Sequence, residues 1–429
     1  MTASSPTLPS EVISLVIQHL QTTRDEGAPI LFDMETYHAQ HQLRAVSLVC
    51  RAWSIVVTSP LYSHPTLISQ RSVRLLRRTL ESSARLALVV RGITLYHEPE
   101  LKLPYIALGN PLNDWNAGLI AFSRTCSSLK TLSINIRHSY DYMYAPVEHR
   151  MTFHVQHIVV RRTTLLALLR LFKFPLLEKL SLYSNPFNVP TRKCHSLPKV
   201  HNLLFYRCLS PHDNLREMAN WRRILPSLRS IEILGTSRPP QSPIVPGHQG
   251  LPYFEGLETL CFVEIPIILN FGSWESCRKY ATVRHLVFGV VSHADHFLAH
   301  WDLPPSLETL TFFVTVKPSP RSNSDTDTDR ACSWRFIAQC LERNRGHLRV
   351  SLQRLTVNTA EPLDRLMTPW DEVVPLELRR IQSFCSAWGT RLELNDLGNA
   401  TKIGIFFRTS DVSVDARKWM MERLLSGPE

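Results

Sequence analysis

Leu177-Glu178-Lys179-Leu180-Ser181-Leu182 decides the fold, because its pattern recurs along the chain. It reads apolar-x-x-apolar-x-apolar. The same form returns as Leu129-x-x-Leu132-x-Ile134, Val200-x-x-Leu203-x-Phe205, Leu228-x-x-Ile231-x-Ile233 and Leu257-x-x-Leu260-x-Phe262. It continues in Val283-x-x-Leu286-x-Phe288, Leu307-x-x-Leu310-x-Phe312 and Leu352-x-x-Leu355-x-Val357. From first residue to first residue the intervals are 48, 23, 28, 29, 26, 24 and 45. Two of them are near twice the others, as if a unit were degenerate or enlarged there. Arg91-Gly92-Ile93-Thr94-Leu95 has the form of an earlier strand in the series. The period-2 ending of each unit describes a short strand with one side inward. The rest of each unit leaves room for a return path of helix or irregular chain. Such units bury their apolar side only by stacking on one another. The expectation is an α/β chain with an array of parallel strands; a non-repetitive α/β domain with parallel strands is the competing reading.

The unit is similar to a leucine-rich repeat, in its irregular form. Two copies carry the polar turn residue three positions after the last apolar one, at Asn185 and Cys208, whereas the others place Arg137, Thr236, Ile265, Val291, Thr315 or Ala360 there. The resemblance implies a solenoid whose sheet presents the residues between the inward ones: Ser181, Tyr183, Leu204, Tyr206, Glu232, Val287, Thr311, Phe313, Thr356 and Asn358. Tyr183, Leu204, Tyr206, Val287 and Phe313 are the candidate surface for a protein target. Leu204, Val287 and Phe313 are too apolar for a bare solvent face; either a partner or another segment of the chain covers them.

Between the units, residues 213–225 and 331–344 have helical spacing, the second with Trp334, Ile337, Ala338 and Leu341 and an expected stop at Gly346. Residues 236–250 and 317–330 are rich in Pro, Ser and Asp and read as mobile loops. After 374 a closing segment is expected. It comprises a helix over 376–388 with Ile381, Phe384, Cys385 and Trp388 inward, a strand over 401–408 and a helix over 411–425.

At the other end, Leu8-Pro9-Ser10-Glu11 opens a helix over 11–21, with Ser10 placed to cap it. Val12, Ile13, Val16 and Leu20 form one face, and Leu15 and Ile17 widen it beyond a single stripe. A helix apolar over most of its circumference must be covered on two sides. Residues 43–53, from Leu43 through Val46, Val49, Cys50 and Trp53, supply one cover. The other side needs a partner.

These segments resemble an F-box: Leu8-Pro9-x-Glu11, Val12-Ile13-x-x-Val16, Leu43 and Val46, then Val49-Cys50-Arg51-x-Trp53. Pro60-Leu61-Tyr62 and Thr66-Leu67 resemble the tail of many fungal F-box proteins. The connection over 21–42 is longer than the family's, and is read as a polar insertion that loops out at little thermodynamic cost. The resemblance implies an F-box over 1–68, a linking helix over 69–90, a repeat domain over 91–374 and the closing segment over 375–429. It further implies binding to the Skp adaptor through Leu8, Pro9, Val12, Ile13, Val16, Leu20, Leu43, Val46, Val49, Cys50 and Trp53. Some of these must be internal to the F-box. Through the adaptor the chain would join a cullin-RING ubiquitin ligase as its substrate receptor. A repeat scaffold without a ligase role is the alternative.

Nine cysteines at irregular spacing, with no C-x-x-C, fit a reducing compartment, cytoplasm or nucleus. The N-terminus has no basic region followed by an apolar run, so a secretory signal is not expected. The apolar stretch 158–174 is interrupted by Arg161, Arg162 and Arg170, so no membrane span is expected. The net charge of +11 raises nucleic-acid binding. Its local support, Arg71, Arg74 and Arg78 opposite Val73, Leu76 and Leu80, reads as a solvated helix face without interleaved aromatics. No phosphate-cradling loop, nucleophile elbow or His-Glu-x-x-His is present, and only 15 glycines occur in the chain. His293, His296 and His300 share a helical face with metal-ligand spacing, but the segment also reads as an amphipathic helix with exposed histidines; His154 and His157 are weaker. Neither a cofactor nor an enzymatic activity is expected.

Overall fold

The computed structural model describes residues 9–21, 34–97, 111–136, 151–161, 168–169, 172–183, 196–206, 223–234, 256–263, 281–291, 302–315, 326–359 and 373–396. The chain forms two compact units, Met1–Ser181 and Leu182–Glu429. The first holds helices α1 (Ser10–Gln21), α2 (Met34–Ser47), α3 (Arg51–Ser63), α4 (Gln70–Ser82), α5 (Ala84–Val89) and α6 (Pro111–Thr125). Its strands are β1 (Thr66–Leu67), β2 (Gly92–His97), β3 (Thr131–Ile136), β4 (Met151–Thr152), β5 (His157–Arg161) and β6 (Phe172–Lys173), with β7 (Lys179–Tyr183) at its end. The second unit holds β8 (Asn202–Tyr206), β9 (Ser230–Leu234), β10 (Thr259–Val263), β11 (His285–Val291) and β12 (Thr309–Thr315), then α7 (Thr326–Arg343), α8 (Arg345–Ser351), β13 (Arg354–Thr359), α9 (Val373–Trp388) and β14 (Arg391–Asp396).

The main strands run in chain order and in parallel. In the first unit β1, β2, β3 and β5 pair parallel, while β4 and β6 make a separate two-stranded pair. In the second, β8 through β14 pair successively, each parallel to the last. Within each of these runs, the middle apolar residue of one repeat stands beside its counterpart in the next. Leu203, Ile231, Leu260, Leu286, Leu310, Leu355 and Leu392 align across seven strands, and Ile93, Leu132 and Ile158 across three. From Leu203 to Leu355 these side chains are at most 1% exposed. This in-phase stacking is what the period-2 pattern demands, since a slip of one residue would turn each leucine out of the core.

A second regularity locks the register. At the entrance to β3, β5, β7 and β9 through β13, one carbonyl of the preceding strand accepts two N–H groups from the next. Lys130 O accepts from Gln156 and His157, Arg229 O from Glu258 and Thr259, Glu258 O from Arg284 and His285, and Arg284 O from Glu308 and Thr309, all at 2.7–3.0 Å. Just before it, the first apolar residue donates to a carbonyl three residues back: Leu129 to Cys126, Leu177 to Phe174, Val200 to Leu197, Leu228 to Leu225 and Leu307 to Pro304. Four of these turns carry proline at their second position, namely Pro175, Pro198, Pro226 and Pro305. Proline there pre-sets the backbone angle of a type I turn. The repeating element is therefore longer than six residues and includes its own turn.

Several expectations change. The 48-residue interval contains an overlooked unit, Val155-x-x-Ile158-x-Val160, whose strand is β5. The 45-residue interval is enlarged by α7 and α8. The presumed mobile loop ends earlier than 330, because α7 already begins at Thr326. Gly346 does not stop a helix: α7 ends at Arg343, and Gly346 lies inside α8. The break instead falls at buried Asn344, whose Oδ1 accepts from Leu303 N at 2.7 Å and whose Nδ2 donates to Cys340 O at 2.8 Å. The helix expected over 376–388 is present as α9. Gly389, at φ 71°, ends it in the left-handed conformation that glycine tolerates. The chain passes straight into β14, a parallel strand beyond 374 that the repeat pattern had not marked. The segment over 69–90 is two helices: Ser83 N–H closes α4 on Leu80 O, and its hydroxyl accepts from Leu86 N to cap α5. Most of 213–225, the loop over 236–250, and the strand and helix over 401–425 lie outside the described residues.

Candidate functional site

The N-terminal helices have a core of their own. Ile13 and Ile17 of α1, Leu43 of α2 and Val57 of α3 are at most 4% exposed, and Val46, Trp53, Val56 and Leu61 pack partly against them. Pro9 O accepts from Val12 N at 3.1 Å and Ile13 N at 3.2 Å, so Pro9 starts α1, and Ser10 lies inside it rather than capping it. The insertion also differs from the looped-out reading: its second half is the first half of α2. Gln40, within it, is 7% exposed. Its Nε2 donates to His64 O at 2.6 Å and its Oε1 accepts from Thr66 N at 3.1 Å. One side chain thus ties α2 to the start of β1, and Arg91 N–H, donating to Ser63 O at 2.7 Å, ties the end of α3 to the start of β2.

The structure sorts the eleven expected contact residues. Ile13 and Leu43 are internal, which corrects their placement on the contact surface; Val46 and Trp53 are half-buried supports. Pro9, Val12, Val16, Val49 and Cys50 are exposed. Leu8 and the side chain of Leu20 lie outside the described residues. Three large aliphatic residues join the exposed set without having been singled out as contacts: Leu15 at 64%, Leu48 at 85% and Ile55 at 66%. Helical spacing could have found Leu15, which shares an exposed face with Val12 and Val16 opposite Ile13 and Ile17. Ile55 follows α3's own face with Arg51 and Ala52, which only the burial of Val57 orients.

On the strand array, Leu204 and Val287 are half-buried; the side chains of Tyr183, Tyr206 and Phe313 lie outside the described residues. Within each unit, other residues expected to point outward are less open than the alternation implies. Ser181, Thr356 and Asn358 are 3%, 3% and 0% exposed. Neighbouring strands lie about 5 Å apart, so a short side chain is sheltered by longer ones in the adjacent strands. His157, 8% exposed, reaches Ser181 Oγ with Nε2 at 3.0 Å. Burial, and then the Lys179 charge, push its pKa down to about 3, so the imidazole is neutral. At the far end Thr356 Oγ1 donates to Glu393 at 3.3 Å, and Asn395 Nδ2 donates to Asn358 Oδ1 at 3.0 Å. These polar pairs join adjacent strands, and burial closes the His157–Ser181 pair off from solvent.

Among the described residues, no cluster of His, Cys, Asp and Glu could hold a metal ion, and no helix is long and apolar enough to cross a membrane. His293, His296 and His300 lie outside them. Burial raises the thiol pKa of Cys126, Cys261, Cys340 and Cys385, to about 12 at Cys340 and about 11 at Cys385. Buried thiols of this kind are poor nucleophiles at neutral pH. Neither a protein-family model nor a curated protein matches the sequence.

Proposed function

We propose that the chain is an F-box substrate-receptor subunit of an SCF-type cullin-RING ubiquitin ligase. The observation that carries the reading is the N-terminal helical unit. With its core already closed by Ile13, Ile17, Leu43 and Val57, it still exposes Val12, Leu15, Val16, Leu48, Val49 and Ile55. Six large aliphatic side chains left outside the core of the described residues are the composition of a protein-binding surface. In this reading the Skp adaptor covers them, and the strand array holds a protein target through its second face, around Leu204 and Val287. The chain performs no covalent step. It raises the local concentration of the target beside the charged ubiquitin-conjugating enzyme, turning a bimolecular encounter into a tethered one.

The test is co-expression with the Skp adaptor and co-purification. Val12→Asp with Val16→Asp places two charges on an exposed face and leaves the core residues untouched, so adaptor capture is lost while the thermal melt is retained. Absence of capture by the unaltered chain favours a repeat scaffold without a ligase role.

A further inference from the structure

The outer face of α4 and α5 carries a surface that the adaptor reading does not use. Val73, Leu76 and Leu80 of α4 are buried. Opposite them, Arg71, Arg74, Leu75 and Arg78 are exposed, a stripe about 10 Å long from the first arginine to the last. Ser83 then turns the chain into α5, where Arg85 and Leu88 are exposed and Ala87 is buried. Leu75 and Leu88 are 52% and 57% exposed. The only acidic residue of the two helices, Glu81, is drawn to the flank by Arg77, at 3.3 Å. Arg71 and Arg78 thus flank the open Leu75 one turn either side along α4, and Arg85 lies one turn from the open Leu88 on α5.

We propose that this face docks an acidic protein segment that carries an aliphatic residue between its carboxylates. Charge complementarity selects a polyanion, and the leucines select among polyanions. A nucleic acid would meet phosphates with the arginines but find no aromatic residue on which to stack its bases. An anionic membrane needs an apolar helix face to insert. The apolar face of α4 is committed to the fold: a Cβ on Gly118 of α6 would come within 2.4 Å of Val73 Cγ1. An acidic peptide uses both parts of the surface, with carboxylates on the guanidinium groups and an aliphatic side chain on Leu75. The stripe lies on different helices from the proposed adaptor surface, so the proposal stands independently of the ligase reading.

The experiment is fluorescence anisotropy with the full chain at low salt. The probe is a short labelled peptide of glutamates and aspartates around two central leucines. Comparison probes are the same peptide with serines for leucines, single-stranded RNA, and phosphatidylserine vesicles. The expected result is tightest binding of the leucine peptide, weakening with added salt. Arg71→Glu with Arg78→Glu should weaken it about tenfold, with Arg71→Gln and Arg78→Gln as the milder pair should the reversal disturb folding. Leu75→Ser should reduce the leucine peptide to the level of its serine analogue. Equal binding of the two peptides, preference for RNA or vesicles, or indifference to the arginine changes in a folded protein overturns the proposal.

Discussion

His157 Nε2 and Ser181 Oγ lie 3.0 Å apart between neighbouring strands, on the side of the sheet away from the leucine column. Both side chains are buried, at 8% and 3% exposure. The pair makes the second face of the first unit a packed layer instead of a bare surface, and gives it a pH dependence.

The folded protein holds His157 neutral, with its pKa lowered to about 3 from 6.5. The unfolded chain binds the proton more readily, so stability from this group is complete above about pH 6.5 and is lost as the pH falls towards 3. The loss cannot exceed about 1.4 kcal/mol per pH unit. Denaturant melts between pH 7 and pH 4 should show the protein weakening, and His157→Asn should flatten part of that slope. Ser181→Ala should cost about 1 kcal/mol through the lost hydrogen bond. An unchanged slope in the His157 variant would place the titration elsewhere.

The leucine column offers a test of the stacking. Leu260 and Leu310 are 0% exposed and belong to different repeats, yet share one column. Alanine at either should cost about 2–5 kcal/mol. Thr311, half-buried on the opposite face, should tolerate alanine to within about half a kcal/mol. Chemical denaturation of the three variants measures the contrast.

Gly118 permits the contact between α4 and α6. A Cβ there would meet Val73 Cγ1 at 2.4 Å. Gly118→Ala should therefore destabilise by about 1–3 kcal/mol despite alanine's better helix propensity. Val73→Ala in the same chain should recover part of the loss, and a double-mutant cycle of melting free energies reads the coupling.

Among the cysteines whose side chains are described, Cys50 is exposed and Cys126, Cys261, Cys340 and Cys385 are buried. Brief maleimide treatment of the native protein should label Cys50 and spare the other four, as peptide mass mapping will show. On the proposed function the labelled protein should also capture less adaptor, because Cys50 follows exposed Val49 at the edge of the surface.

The proposed adaptor surface can be separated from its support. Ile13→Ala removes part of the core and should cost about 2–4 kcal/mol, read as a lower melting temperature. Leu15→Asp, on the open side of the same helix, should leave the melt unchanged and reduce adaptor capture. Loss of folding in both variants would mean that the open side is covered by the chain itself.

The period of the apolar residues was enough to determine the strand array, its inward column and the two-faced first helix. A strand buried on one side announces itself by alternation, and stacking makes that alternation recur. Val155-x-x-Ile158-x-Val160 is harder to read because Val159, between its last two inward residues, is itself apolar and hides the alternation; the turn prolines at 175, 198, 226 and 305 frame other units more sharply. Tertiary structure alone decided which apolar residues of the helices face outward. Val12 and Ile13 are adjacent and chemically alike, yet one is 39% and the other 1% exposed, because only the packing of α2 and α3 selects the covered arc. It also decided the role of Gln40. A polar residue in an apparent insertion carries no sign in the sequence that its two amide hydrogen bonds reach His64 and Thr66, residues brought near only when α2 and α3 pack together.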